Sequence, residues 1–417
     1  MADTKTRQKA GDKKGGMKTE LEGFSREMLH WFLRQMLLYR RFEEKAEEAY
    51  AIGKIGGFCH LHIGQEAAAH GLAGSLRPDD YLLTSYRDHT QAIAKGVDPG
   101  SVMAELYGRK GGSVGGKGGS MHIFGVDVGF MGGHGIVGGQ IPLATGMGWA
   151  IRYRKSDQVC VCCLGDAAVN QGAFLESLNM AAVWKLPVIY VVENNEYGMG
   201  TAFSRVSAQP VFERAQGTGV PAHAVDGQDV LATWRLMERL VSEVRKGAGP
   251  QYVDCRTYRF RGHSMSDPVS GTYRSRQEVE GKKDTADPIT MLRDRLLDEE
   301  LLTQGELEEI DGEVREVVEE AVQFAEESPV PDAADLYTQT YSQINEHGRL
   351  FLDRDHSEHP FPILNTENDG HHHLPGRTER SSSRRDGARR VRLSHGRGSR
   401  GVRWRLQGIK GSPGPFW

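Results

Sequence analysis

No stretch of this 417-residue chain approaches the roughly 20 consecutive apolar residues that a membrane-crossing helix requires, so no span is expected. The opening segment, Met1–Thr19, is rich in Lys and Gly and holds no apolar core, which excludes a secretory signal. Asp3, Asp12 and a scarcity of Arg speak against a mitochondrial transit peptide, and Met17 is a second candidate start. A cytoplasmic, bacterial setting is the expectation. Cysteine is scarce: Cys59, Cys160, Cys162, Cys163 and Cys255 are too few for a disulfide framework in a chain this long. Three of them fall in the apolar run Val159–Leu164, where they read as small buried hydrophobes and not as metal ligands. No internal repeat is visible.

A strong net charge is also absent, but the formal value of −4 hides an asymmetry. Residues 369–417 carry twelve Lys and Arg against three Asp and Glu, leaving 40 basic and 53 acidic residues in the remainder. An acidic body with a basic tail calls for a separate account of each. The hydrophobic share of 38% suits a body with a buried core.

Ser25 is placed to cap a long amphipathic helix in which Met28, Trp31, Phe32, Met36, Leu37 and Phe42 recur at helical spacing, and Gly53 ends the pattern. Gly-rich segments follow, densest from Gly108 to Gly148. A strand at Val159–Leu164, a helix from about Gln171 to Trp184 and a strand at Val188–Glu193 have the order of a crossover unit, which implies an α/β fold with a parallel sheet. Another strand is expected at Gln251–Arg259, and a charged helix over Thr303–Glu327 stops before Pro329.

The chemistry concentrates at two strand ends. Gly165-Asp166-Ala167-Ala168-Val169-Asn170-Gln171-Gly172 follows one strand, and Glu193-Asn194-Asn195-Glu196-Tyr197-Gly198 closes the next. In a parallel sheet, Asp166 and Asn195 meet at the carboxyl edge, where open α/β folds bind ligands. A carboxylate oxygen, an amide oxygen and a nearby carbonyl form a partial hard-oxygen shell of the kind magnesium completes with phosphates and water. Small residues at Gly165, Ala167 and Ala168 let the backbone approach a diphosphate, and the helix beginning near Gln171 adds backbone donors. The plainer alternative makes Asp166 a helix cap and the Asn pair a turn. That alternative serves for either motif alone, but not for both on paired strand ends.

The two motifs resemble the thiamine-diphosphate signature, Gly-Asp-Gly and Asn-Asn about thirty residues apart. The likeness extends to GFCHLHIGQEA (Gly57–Ala67), SYRDH (Ser85–His89), GRKGGSVGGKGGSMH (Gly108–His122), GHGIVGGQIP (Gly133–Pro142), ENNEYGMGT (Glu193–Thr201) and YRFRGHSMSDP (Tyr258–Pro268). All of these resemble alpha subunits of the thiamine-diphosphate-dependent 2-oxo-acid dehydrogenases, the pyruvate enzymes above all. The resemblance covers about Glu20–Tyr341 and implies a thiamine-diphosphate-binding fold, a parallel sheet flanked by helices, over residues 20–343. One position departs: Ala167 stands where the family has Gly. If that position needs a positive φ, the methyl group costs roughly 1 kcal/mol.

What the resemblance implies residue by residue is as follows. Asp166, the Asn195 side chain and the Tyr197 carbonyl bind magnesium, with Ala167 and Ala168 beside the cofactor. Tyr86 and Arg87 contact the diphosphate, while Gly135 and Val137 offer backbone groups to the aminopyrimidine. His60 and His263 are the candidates for proton and substrate work, a role suited to imidazole near neutral pH. His263 belongs to a polar loop, Arg261–Arg276, at the mouth of the cofactor channel, and Ser264 matches a position phosphorylated in mitochondrial relatives. The implied reaction is oxidative decarboxylation of pyruvate with acetyl transfer to a lipoyl group. A branched-chain 2-oxo-acid or acetoin dehydrogenase is the alternative within the class, and a non-catalytic, cofactor-less relative the alternative outside it. The implied partners are a beta subunit in an alpha2beta2 heterotetramer, which supplies the carboxylate that activates the aminopyrimidine, and a lipoylated acyltransferase core.

The likeness stops near Ser342. Residues 344–417 form an extension outside the family, for which a disordered arm, a nucleic-acid-binding tail and out-of-frame translation compete. Nucleic-acid binding rests on the tail alone and is not expected. Out-of-frame translation is favoured because permissible codons from Asp369, read one base forward, give a run beginning MAITIYRDGLSEALREEMARDEF. That run looks like the start of a partner beta subunit.

Overall fold

The computed structural model describes residues 21–337. The polar arm at 1–19 and the extension at 344–417 lie outside the described residues. In chain order the helices and strands are α1 (Arg26–Ala51), α2 (Glu66–Ala73), β1 (Tyr81–Ser85), α3 (His89–Lys95), α4 (Pro99–Leu106), β2 (Phe130–His134), α5 (Gln140–Arg154), β3 (Cys160–Gly165), α6 (Gly172–Trp184), β4 (Val188–Asn194), β5 (Tyr197–Gly198), β6 (Thr201–Ala202), β7 (Ala222–Asp226), α7 (Val230–Arg245), β8 (Gln251–Arg256), α8 (Arg276–Ala286), α9 (Pro288–Asp298) and α10 (Gln304–Glu327). Six strands form one parallel sheet in the order β2-β1-β3-β4-β8-β7. The expected α/β architecture is present, and β5 and β6 form a separate antiparallel hairpin.

Local chemistry explains the element ends. Ser25 caps α1 by accepting from the Met28 amide, and Thr303 with Glu306 forms a reciprocal capping box at α10. The apolar strands have no polar face because helices cover both sides. Period-two alternation then divides them: Val161 and Cys163 enter one core, while Cys160, Cys162 and Leu164 enter the other. All five thiols are free and buried, and burial pushes that of Cys59 up to about 12. Small buried hydrophobes are therefore what these cysteines are.

The helix expected from about Gln171 is α6, with Gln171 at its N-cap, and a 3-10 turn, Asp166–Asn170, joins it to β3. Two boundaries differ from expectation. The strand expected to reach Arg259 stops at Arg256, and the polar loop closes at Ser275, which caps α8 with its hydroxyl. The Gly-rich run also proves different in kind from a phosphate cradle. Its amides at Val114, Gly116, Gly118 and Gly119 donate to the fully buried carboxylate of Glu105 at 2.6–3.1 Å. An internal anion organises that loop.

Candidate active site

The strand order places β1 between β2 and β3, so the connection from β1 to β2 and the next, from β2 to β3, run in opposite directions along the sheet. Ligands of open parallel sheets bind at the carboxyl edge beside such a switch. A cleft of about 550 Å³, counting the space open to solvent, lies there. It is lined from the end of β1 by Ser85, Tyr86 and Arg87, beyond β2 by Val137 and Gly138, and after β3 by Gly165, Asp166, Ala167 and Ala168. Glu193, Asn195, Tyr197, Gly198, Gln65, Gln140 and His263 complete it.

One side offers oxygen. Asp166 is 2% exposed; its Oδ1 accepts from the Ala167 amide at 3.0 Å, while Oδ2 is buried without a partner. Desolvation pushes its carboxyl up to about 6. The Asn195 amide donates to Gln65 Oε1 at 3.1 Å, which fixes the side chain and leaves Oδ1 buried and unpartnered. Tyr197 pairs with Ala202 in the hairpin, between the Gly198–Thr201 pair and the Phe203-to-Glu196 hydrogen bond of 2.9 Å. Alternation in antiparallel ladders makes that central pair the non-hydrogen-bonded one, leaving the Tyr197 carbonyl outside the ladder. Two orphaned buried oxygens beside a spare carbonyl fit a hard divalent cation, whose charge would repay their desolvation. Among the described residues no group of three or more His, Cys, Asp or Glu side chains is arranged for a metal, so a cation here would rely on this mixed oxygen set.

The other side offers positive charge. Arg87, 6% exposed, donates to the Leu61 carbonyl and to the His263 carbonyl at 2.8 Å, and it makes no ion pair. Arg259, fully buried, donates to Met199 O at 2.7 Å and to Tyr273 Oη at 3.2 Å, with Nε and Nη1 unpartnered. Burial and the nearby Arg87 push its guanidinium down to about 10. Two buried cations without bonded carboxylates are costly unless an anion joins them, and diphosphate is the kind of anion a guanidinium fork suits.

His60 and His263 sit beside Tyr86, with ring centroids 4.5 and 5.6 Å from it and 5.1 Å from each other. Burial, then Arg87, push His60 down to about 2 and His263 to about 4, so both rings are neutral near pH 7. The loop that carries His263 is held by Asp267, which accepts from the His263 amide and the Tyr273 hydroxyl, and by Arg274, which donates to the carbonyls of Arg259, Arg261 and Val269. Ser264 is 8% exposed and hydrogen-bonded to Ser266, so a modifying enzyme reaches it only when the loop opens.

Of the residues singled out in the sequence, Tyr86, Arg87, Val137, Asp166, Ala167, Ala168, Asn195, Tyr197 and His263 line this one cleft. His60 stands behind Tyr86, and Gly135 lies against the His122 ring, off the lining. Ala167 does not adopt a positive φ, so the strain considered for its methyl group does not arise. The helix start credited with lining the site, α6, contributes none of the lining residues. Sequence reasoning missed Gln65, Glu193 and Arg259. Glu193 accepts from Gln91 at 2.8 Å and lies 3.0 Å from His62 Nε2. All three residues stand inside the quoted motifs, but nothing in their spacing marks them.

A cleft at the switch point of a parallel sheet, lined by two orphaned buried oxygens and the Arg87 guanidinium, has the groups that a cation and a phosphorylated ligand would together satisfy. Residues 34–334 match the family described as dehydrogenase E1 component, and the chain belongs to that family. The pyruvate dehydrogenase E1 component subunit alpha of Rhizobium meliloti is 51% identical over 306 residues, covering 73% of this chain and 87% of the relative. The protein of the same description from Zymomonas mobilis is 47% identical over 315 residues, 75% of this chain and 88% of the relative. That of Rickettsia felis is 45% identical over 309 residues, 74% and 94%.

Proposed function

We propose that this chain is the alpha subunit of a pyruvate dehydrogenase (acetyl-transferring), an oxidoreductase that works with thiamine diphosphate and magnesium. The observation that carries the reading is one cleft lined by the orphaned oxygens of Asp166 and Asn195 and by the Arg87 guanidinium, with Arg259 buried off the lining but near enough to act on the Asp166 carboxyl. Family membership and the pyruvate dehydrogenase alpha relatives supply the substrate.

In this reading Asp166, Asn195 and the Tyr197 carbonyl hold the magnesium ion. Arg87, fixed by two backbone carbonyls, presents its fork to the diphosphate beside Tyr86, and Arg259 adds charge from behind. Thiamine diphosphate, when bound, supplies the electron sink that decarboxylation of a 2-oxo acid needs. Val137, on the lining, would offer its backbone to the ring of the cofactor, and Gly135 would shape that loop from beside His122. His60 Nδ1 is buried without a partner and its ring is neutral, so it is available to hydrogen-bond and orient pyruvate. His263, tethered through its own amide to Asp267, holds the channel side of the same space.

The two carboxylates lining the cleft are already committed, Asp166 to the cation set and Glu193 to Gln91 and His62. That supports a separate beta subunit as the source of the acid–base carboxylate for the aminopyrimidine, in an alpha2beta2 heterotetramer that passes acetyl groups to a lipoylated acyltransferase core. The bacterial relatives support a bacterial cytoplasmic setting.

The test is reconstitution with the beta subunit and pyruvate-dependent reduction of an artificial electron acceptor. Activity that needs both subunits, thiamine diphosphate and magnesium is the expected result. Faster turnover of branched-chain oxo acids would move the substrate assignment, and absence of cofactor binding would sink the reading.

A further inference from the structure

The β5–β6 hairpin that carries Tyr197 has little of its own to hold it in place. It has two residues per strand, and isolated hairpins of that size are marginal. It is also strained: Glu196 (φ 70°) and Met199 (φ 52°) are non-glycine residues in the left-handed region. Its position must therefore come from neighbours. At the tip, Arg259 holds the Met199 carbonyl, and Tyr273 lies 3.0 Å from where a Gly200 side chain would stand. At the base the neighbour is the 3-10 turn that begins at Asp166.

At Gly198 the atom of that turn that matters is one methyl group. A Cβ built on Gly198 would lie 2.5 Å from Ala167 Cβ and 3.9 Å from Ala167 Cα, with nothing else beyond its chain neighbours within 4 Å. Gly198 itself is not in the left-handed region, so the Ala167 side chain, and not the backbone, is what excludes a larger residue there. The two residues divide one small space, with the methyl group on the Asp166 side.

We propose that the Ala167 methyl group is a spacer that seats the hairpin on the Asp166 turn and so fixes the gap between the cation-binding oxygens of Asp166, Asn195 and Tyr197. Ala167 is a positioning residue. It touches no reacting atom, and it acts by preorganising ligands drawn from two separate loops, whose ordering would otherwise have to be met on binding. This rests on the reading of the cleft as a cation and diphosphate site.

The test uses the full chain assembled with its beta subunit, titrated with Mn²⁺ in the presence of thiamine diphosphate and followed by electron paramagnetic resonance. Ala167→Gly should weaken Mn²⁺ binding roughly two- to fivefold, the scale of the flexibility glycine adds. Gly198→Ala should weaken it on the order of tenfold or more, because two methyl groups then compete for one space. The double variant Ala167→Gly/Gly198→Ala returns one methyl group to that space from the opposite side, and should bind within about threefold of the parent, a non-additivity expected only of residues in contact. Tighter binding by Ala167→Gly would show that the methyl group obstructs, and a double variant no better than Gly198→Ala would show that the pair is not coupled. Either overturns the proposal while leaving the functional reading intact. A parent complex that binds no Mn²⁺ would overturn both. Thermal melts identify a Gly198→Ala protein that has merely unfolded, in which case Ala167→Gly, which only removes a methyl group, decides.

Discussion

The two sides of the cleft are built on opposite plans. The oxygen side comes from the ends of adjacent strands β3 and β4, whose register pairs Gly165 with Glu193, and its ligands fall within a short stretch of chain. The guanidinium side gathers Arg87, Arg259, His60 and His263 from distant segments, and backbone carbonyls hold its two cations in place. The oxygen side is unsatisfied because two acceptors lack donors; the other because two buried cations lack bonded anions. Each side alone is costly to bury. Facing each other across one cleft, they are complementary to a cation–diphosphate pair that neither could bind as well by itself.

The largest effect should come from removing the only cation-side carboxylate. Asp166→Ala should abolish magnesium-dependent activity and Mn²⁺ binding in the assembled enzyme, while the thermal midpoint holds or rises, because a desolvated carboxyl has gone. Retained Mn²⁺ affinity would break the division into two sides. Next, Arg87→Met should lower pyruvate turnover about 10²–10³-fold, the scale of losing one preorganised group opposite developing or bound charge. It should leave Mn²⁺ binding in the absence of thiamine diphosphate nearly unchanged, which a purely structural role for Arg87 would not predict.

A smaller effect separates the sides by pH. Burial pushes Asp166 up to about 6, and a cation takes the deprotonated form, so Mn²⁺ affinity should fall as pH drops through 6, approaching about tenfold per unit below it. The sign for stability is the reverse. A carboxyl raised in the fold contributes stability that is full below its unfolded value and lost as pH rises through about 6. The imidazoles of His60 and His263 stay neutral down to about 4, so between pH 5 and 8 they should add no slope to metal-free diphosphate affinity beyond that of the ligand's own terminal phosphate, which titrates at about 6. Calorimetric titrations with and without metal, at several pH values, measure both slopes. A metal-free profile steeper than the ligand alone gives would mean that the guanidinium side titrates too.

Much of the fold was legible because it follows from short-range rules. The caps at Ser25 and Thr303, the apolar runs of β3 and β4 and the crossover through α6 are all readable from spacing and residue type. The strands β1, β2 and β7 were not marked out. β1 is five residues long, and β2, Phe130–His134, contains two glycines and reads locally as loop. Neighbouring strands and not propensity make it extended. The 3-10 turn at Asp166–Asn170 was not marked out either, because a single short turn between a strand and a helix leaves no periodic pattern.

The sequence by itself determined that this is an α/β chain with a parallel sheet, that Asp166 and Asn195 end adjacent strands, and that the cysteines are core residues. Local hydrophobic patterns and capping chemistry suffice for that, since they act over a few residues. Only the tertiary structure decided that Arg259 is buried without an ion pair, that Glu193 is held by Gln91 and His62, and that Ala167 shares a space with Gly198. Burial, desolvation and contact between distant segments are properties of the packed chain, and no spacing along the sequence encodes them.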